Sequence, residues 1–335
     1  MKQWDIFEKN IKKTWRILFI LLFIAILLAG IQQQAIAEGY PTKTITIYTP
    51  YAPGGGNEIA VRILAEIARE NLGQPVVVVN KPGGGGIIAQ SIVAKEKPDG
   101  YSLAVTSNAA FVQVPQMRDV EFDPLNDFEF IMKYFTVTDG LVCRSEKPWK
   151  SLMDLIIYSK KHPGEITYGT PGKGSANHIA AESIAIKEGI KWRMVPYEGA
   201  PRVAAALLGG HLDLGICTIQ SFKPHVTTGE FRLLAIAGAG KTIFPNVPSP
   251  EDLGYELTFG ASFGIIAPKG TPLHIIKKIQ NVFKKAMEDP RYVDTCKKLD
   301  AFNTYASGED FFKEIKKEYV ARGKVLKEIG LSKSK

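Results

Sequence analysis

Cysteine is scarce in this chain: three in 335 residues, at positions 143, 217 and 296. No two of them form a C-x-x-C pair, so neither a zinc knuckle nor a dithiol redox motif follows. An exported chain could join Cys143 to Cys217, but the odd count leaves one thiol over, and three buried free cysteines is the favoured reading. Histidine is almost as sparse. His162, His178, His211, His225 and His274 show no H-E-x-x-H or comparable ligand spacing, so no metal is expected. The G-x-S-x-G elbow of serine hydrolases is missing, and Ser175 has only His178 as a nearby base with no third partner indicated.

Nucleotide motifs are missing as well. GGGNEI places Ile59 where a dinucleotide fingerprint needs glycine or alanine, and the Gly54–Gly56 loop lacks the phosphate-loop lysine. Ala235–Thr242, AIAGAGKT, fits the loose phosphate-loop pattern. The prolines of the following IFPNVPSP, however, forbid the helix that would aim N–H groups at a phosphate. Carboxylates such as Glu58 and Asp213 could serve acid/base work, but nothing in the sequence places them together. No cofactor and no catalytic set are therefore expected. The formal charge of +8 is mildly basic, and many lysines gather in FFKEIKKEYVARGKVLKEIG, the solvated face of an amphipathic helix. No basic run is interleaved with aromatics, which argues against nucleic acid as a partner.

What is present begins with an export signal. Five basic residues precede the apolar run Ile17 to Ile31, and Ala35-Ile36-Ala37 supplies small residues for cleavage after Ala37. Those 15 apolar residues fall short of the roughly 20 that span a bilayer. Residues 1–37 thus read as a signal peptide, and its removal lowers the formal charge to about +5. No cysteine lies near the cut, which argues against a lipid anchor.

The rest of the chain uses one plan twice. Strand Thr44 to Thr49, a glycine loop, a helix to about Asn71 closed by Leu72-Gly73, strand PVVVV and a second glycine turn make the first unit. A helix from about Ile87 to Glu96 and the strand YSLAVTSN complete it. About 120 residues later come strand ITYGTP, loop GKGSAN, a helix to about Glu188, strand WRMVPY, a helix over Arg202 to Leu208 and strand HLDLGIC. FIMKYFTVTDGLVCR would carry the chain from one unit to the other, and LLAIAGAG with FGASFGIIAPKG would bring it back. The expected architecture is α/β and two-lobed, each lobe a doubly wound, mostly parallel sheet flanked by helices. Lobe 1 takes residues 38–138 and 250–335, and lobe 2 takes 139–249.

Glycine turns that open a helix expose N–H groups that have no partner and favour an anion. Gly54, Gly55 and Gly56 let backbone approach a ligand, Asn57 can cap the helix, and Thr170, Gly172, Gly174 and Ser175 offer the same in the second unit. Glu58 in the first turn would repel an anion unless it points away or meets an ammonium group. His178 reads equally as a packing histidine and as a donor to a carboxylate. Tyr197 and Glu198 precede another helix start, and Asp213 reads as a loop-holding residue.

Eight ordered stretches carry a family resemblance over nearly the whole mature chain: PYAPGGGNEIAVR, LGQPVVVVNKPGGGG, PDGYSLAVTSN, YGTPGKGSANHIAAE, VPYEGAPR, LLGGHLDL, FPNVPSPEDLGYE and FGIIAPKGTP. The chain resembles the solute-binding proteins of tripartite tricarboxylate transporters, the Bug/TctC-like periplasmic receptors. The resemblance implies a type II-like periplasmic binding fold, a small carboxylate held between the lobes, a membrane permease as partner, and no enzymatic activity. A monomer is expected. In the first lobe it implies ligand contacts from Gly54, Gly55, Gly56, Gly84, Gly85 and Ser107, and in the second from Thr170, Gly172, Ser175, His178, Tyr197 and Gly199. Pro53, Asn57, Glu58, Asn108 and Asp213 complete the candidate ligand contacts without being carried over from the family. Asn57-Glu58 departs from the family, which usually has Thr-Asp or Ser-Asp there. A ligand-sensing subunit for a receptor kinase, and more remotely a hydrolase of a small acid, would use the same cleft.

Overall fold

The computed structural model of the protein describes residues 39–256 and 260–333. The expected signal peptide lies outside the described residues. None of the described helices is long and apolar enough to cross a membrane.

In the first lobe β1 (Ile45–Thr49) buries Ile45 and Ile47 and leads through a glycine loop into α1 (Gly56–Leu72). Gly73 ends that helix at φ 68°, the left-handed position the Leu72-Gly73 pair led us to expect. β2 (Val76–Asn80), α2 (Ile88–Val93), β3 (Ser102–Ser107) and α3 (Ala110–Met117) follow. The long β4 (Phe128–Val137) then leaves the lobe, and after Thr138 alone the chain is already in β5 (Asp139–Arg144) of the second sheet.

The second lobe runs α4 (Leu152–Lys161), β6 (Thr167–Thr170), α5 (Ala176–Glu188), β7 (Arg193–Pro196), α6 (Ala200–Leu208), β8 (Leu214–Thr218), α7 (Ile219–Thr227) and β9 (Phe231–Ile236). A 3-10 turn at Gly238–Thr242 occupies the AIAGAGKT stretch, and no α-helix follows it. The chain returns as β10 (Ala261–Pro268) and ends with α8 (Leu273–Ala286), α9 (Pro290–Lys298), β11 (Ala306–Ser307) and α10 (Gly308–Glu328).

The first sheet has the order β11-β4-β10-β3-β1-β2 and the second β7-β6-β8-β5-β9. β1 pairs in parallel with β2 and β3, and β6 with β7 and β8. β10 is antiparallel to both β3 and β4, and β5 to both β8 and β9. The expected mostly parallel sheets are therefore corrected to mixed ones. The reason lies in the crossings: a strand that enters a lobe from the other one must start at the facing edge and run against its neighbours. The second sheet thus carries three parallel strands, one reversed entering strand and one leaving strand, and the first repeats that arrangement with the short β11 added beside β4. The carboxyl ends of β1, β3, β6 and β8 all point at the junction, where open α/β sheets hold their ligands.

Cys143 and Cys217 sit on opposite faces of the second sheet, one under α4 and α5, the other under α6 and α7, and all three cysteines are buried and free. Lobe 1 is filled on one face by Phe111, Phe122, Phe128, Phe130 and Phe311. A smaller cluster joins the lobes, Ile179 of α5 packing with Ala321, Val325 and Leu326 of α10.

The β4–β5 crossing buries a charge. Asp139 is 4% exposed, accepts a hydrogen bond from Asn177 Nδ2 and another from the Gly260 backbone, and has its carboxyl pushed up to about 6 by burial, which those bonds and Arg322 only partly offset. A carboxyl raised in the folded state is bound to its proton more tightly there than in the unfolded chain, so its contribution to stability falls as pH rises from about 4 to about 6 and stays low above. Asp139→Asn should remove that slope. In urea unfolding, the variant's stability relative to the parent should be greater at pH 7.5 than at pH 4 by about 3 kcal/mol, from two pH units at ~1.4 kcal/mol each; equal differences at both pH values would refute it.

Candidate functional site

The first glycine loop is exposed from Ala52 to Gly55 and turns into α1 through Gly55, which takes the N-cap position at φ −72° and ψ 147°. No side chain caps this helix. Asn57, expected to cap it, instead donates its amide to the buried Tyr134 hydroxyl of β4 at 2.9 Å. The correction has a simple cause: Asn57 is already inside the helix, facing the core rather than the loop.

Glu58 is nearly buried yet well compensated. It accepts from the Gly54 N–H at 3.2 Å and from Arg62 Nε at 2.9 Å. Burial pulls its carboxyl up, but the bonds from Arg62, Gly54 and Asn80 outweigh that and leave it below its ordinary value. The Gly54 N–H is thereby spent on the protein's own carboxylate. The Gly55 N–H makes a long bond of 3.5 Å to the Ala52 carbonyl, and Gly56 and Asn57 stand beside it at the head of α1, on a cavity of about 370 Å³. Its walls are Tyr51, Phe263, Leu299 and Val137 from the first lobe and its exit strand, with Thr218 and Gln220 from the second. Tyr51 meets Phe263 edge to face at 5.5 Å, and burial pushes its phenol up to about 12 despite a bond to Ser107, so it stays neutral.

The second loop repeats the closure with different chemistry. Gly174 N–H donates to His178 Nδ1 at 3.0 Å, four residues on, as Gly54 does to Glu58. That acceptor role puts the ring proton on Nε2, 3.9 Å from Glu182. Burial lowers the His178 pKa, with Glu182 opposing and Lys173 assisting, and the ring is neutral at pH 7. Ser175 caps α5 by accepting from the His178 N–H at 3.2 Å, and the Thr170 hydroxyl is engaged with Gly172 in its own turn. Their side chains are occupied; what this loop can still offer is backbone.

The two glycine loops do not face each other directly. The first lies against the β8–α7 junction of lobe 2, where Gln220 donates to the Leu299 and Asp300 carbonyls and Lys223 pairs with Asp300. The second lies against α3 of lobe 1, where Gln113 donates to the Gly174 carbonyl. Tyr197 and Gly199 stand beside the end of β6, Tyr197 N–H donating to the Thr170 carbonyl. Ser107 backs Tyr51. Asn108 binds β10 through Ser262 and lines a separate cavity of about 300 Å³ with Lys133 and Glu314. Gly84 and Gly85 form a left-handed turn leaning on Ile88 and Val114, apart from the first loop's cavity. Asp213 is at the opposite ends of β6 and β8 from the glycine loops. It accepts from Thr167 and pairs with Lys147 at 2.7 Å, so it braces the lobe and is dropped from the candidate ligand contacts.

Sequence reading missed Tyr51, Thr218, Gln220, Phe263 and Gln113. Thr218 was within reach, since it ends the third strand of the second unit as Ser107 ends that of the first. Among the described residues no His, Cys, Asp or Glu cluster could hold a metal ion.

Comparison with known proteins places the chain in a family. Residues 60–331 match the TctC family, described as the tripartite tricarboxylate transporter family receptor. A protein of Cupriavidus necator, the "UPF0065 protein in gbd 5'region", is 33% identical over 308 residues, covering 92% of this chain and 94% of its own. A ligand-free TctC solute-binding protein from Polaromonas superposes with a TM-score of 0.81 at 26% identity, over 86% of this chain and 99% of its own. Rpa4515 of R. palustris, solved with adipate, gives 0.67 at 27% identity over 88% and 99%. With two lobes on one strand plan and a match across most of its length, this chain belongs to the TctC family of solute-binding receptors.

Proposed function

We propose that the protein is an extracytoplasmic receptor that captures a small organic carboxylate between its lobes and hands it to the permease of a tripartite tricarboxylate transporter. The observation that carries this reading is the uncapped start of α1, opening on an interlobe cavity whose one carboxylate, Glu58, is already neutralised by Arg62. Backbone N–H groups at a helix start suit an anion, and the apolar walls lower the local dielectric and strengthen the attraction. The second loop would take the other end of the ligand, through the backbone around Gly172 and Ser175 with neutral His178 beneath. Lobe closure would then be what the permease reads. The adipate bound to its R. palustris relative supports a carboxylate as the ligand class.

A thermal-shift panel of mono-, di- and hydroxycarboxylates tests this. A ligand present at a hundred times its Kd should add about 2.7 kcal/mol of stability. That corresponds to a rise in Tm of roughly 4 °C for a chain of this size. The acid should remain unconsumed by NMR. Steady loss of the acid would point to an enzyme, and a panel without any shift would count against carboxylate capture.

Gly55 offers a clean local test. Its φ of −72° suits any residue, and an added Cβ would meet only the Ala52 carbonyl at 3.6 Å. Gly55→Val should keep the parent Tm within a few degrees and lose at least a hundredfold in affinity for the best acid of the panel by calorimetry. Unchanged affinity would remove this loop from the site.

A further inference from the structure

Two buried groups of opposite charge, each with one polar atom that has no hydrogen-bond partner, lie on either side of the lobe junction. Arg322 of α10, in the first lobe, is fully buried. Its Nε donates to Glu318 at 2.8 Å, its Nη1 reaches Gln113 Oε1 at 3.4 Å, and its Nη2 has no acceptor. Asp139, the first residue of β5 in the second lobe, has Oδ2 bound by Asn177 and Oδ1 without a donor. Burying a charged group is unfavourable unless it is paired, and Glu318, itself buried, supplies that pairing for Arg322.

Arg322 also reaches the second glycine loop. Gln113, 5% exposed, stands between the two: its oxygen faces Arg322 and its NH2 donates to the Gly174 carbonyl. A guanidinium can only donate, so it fixes which end of the amide turns toward the loop. The Gly174 N–H is held by His178 of its own lobe. The residue sits at φ +73°, and a Cβ there would come within 2.7 Å of Met117 of α3. The loop is thus gripped by its own helix on one side and by the other lobe on the other.

We propose that Arg322, held by its buried counter-charge Glu318, is a positioning residue for the second glycine loop, setting through Gln113 where Gly174 stands relative to the first lobe. The bearing of this on ligand capture rests on the reading of that loop as part of the site. The positioning itself does not, so the test needs no ligand.

Gln113→Met keeps the length of the side chain and removes its amide. Arg322→Lys keeps the charge but cannot hold Glu318 and Gln113 in one fork. Amide hydrogen exchange on the full chain, without added acid, should speed up at least tenfold over Lys173–Asn177 in both variants. Rates in Gly54–Glu58 and β1 should stay as they are. Unchanged exchange over the loop in Gln113→Met would overturn the proposal, as would a rise spread evenly over both lobes, the mark of general destabilisation. Should Arg322→Lys fail to fold, Gln113→Met alone decides. Failure here leaves carboxylate capture standing, and a silent ligand panel leaves the exchange result standing.

Discussion

A chain that passes twice between two sheets must enter each of them at the edge that faces the other. The organisation of this molecule depends on that constraint. It reverses β10 and β5 against their neighbours, separates the leaving strands β4 and β9 from the parallel trio, and turns the carboxyl ends of β1, β3, β6 and β8 toward a common junction. The loops at those ends need no further instruction to be near one another. Their chemistry is then a matter of which backbone groups the helix starts leave free and what the first helical turns do with the rest.

The same closure is applied in both lobes and yields different electrostatics. A residue four positions after a loop glycine reaches back to accept its N–H, as Glu58 does for Gly54 and His178 for Gly174. In the first lobe the acceptor is an anion whose charge Arg62 cancels, and the helix above it has no side-chain cap. In the second the acceptor is a neutral ring, and Ser175 supplies a cap.

Much of this was legible in the residues. The Gly54–Gly56 loop and the loop GKGSAN located both helix starts, alternation and helical spacing gave the order of elements, and the two crossing segments fell where β4–β5 and β9–β10 are found. Strand direction was not legible, because a continuous apolar run such as Val76–Val79 reads alike in parallel and in mixed sheets. Nor were the partners of Asn57, Glu58 and Asp213. Each has a short polar side chain whose role is set by what the fold brings up to it, whether Tyr134 from 77 residues away or Thr167 from 46. Gln113 and Arg322 carry no local signal at all: a glutamine and an arginine within helical stretches are ordinary surface residues until tertiary contacts bury them.

The second sheet is assembled from one uninterrupted stretch, β5 through β9, while the first stays incomplete until β10 and α10 have been made. Synthesis proceeds from the amino terminus, so one half of the molecule can reach its final form while the other still lacks its central strand and a covering helix. Ile179 meets Ala321, Val325 and Leu326 only when α10 has been made. The seam between the halves is therefore sealed last, by its tail.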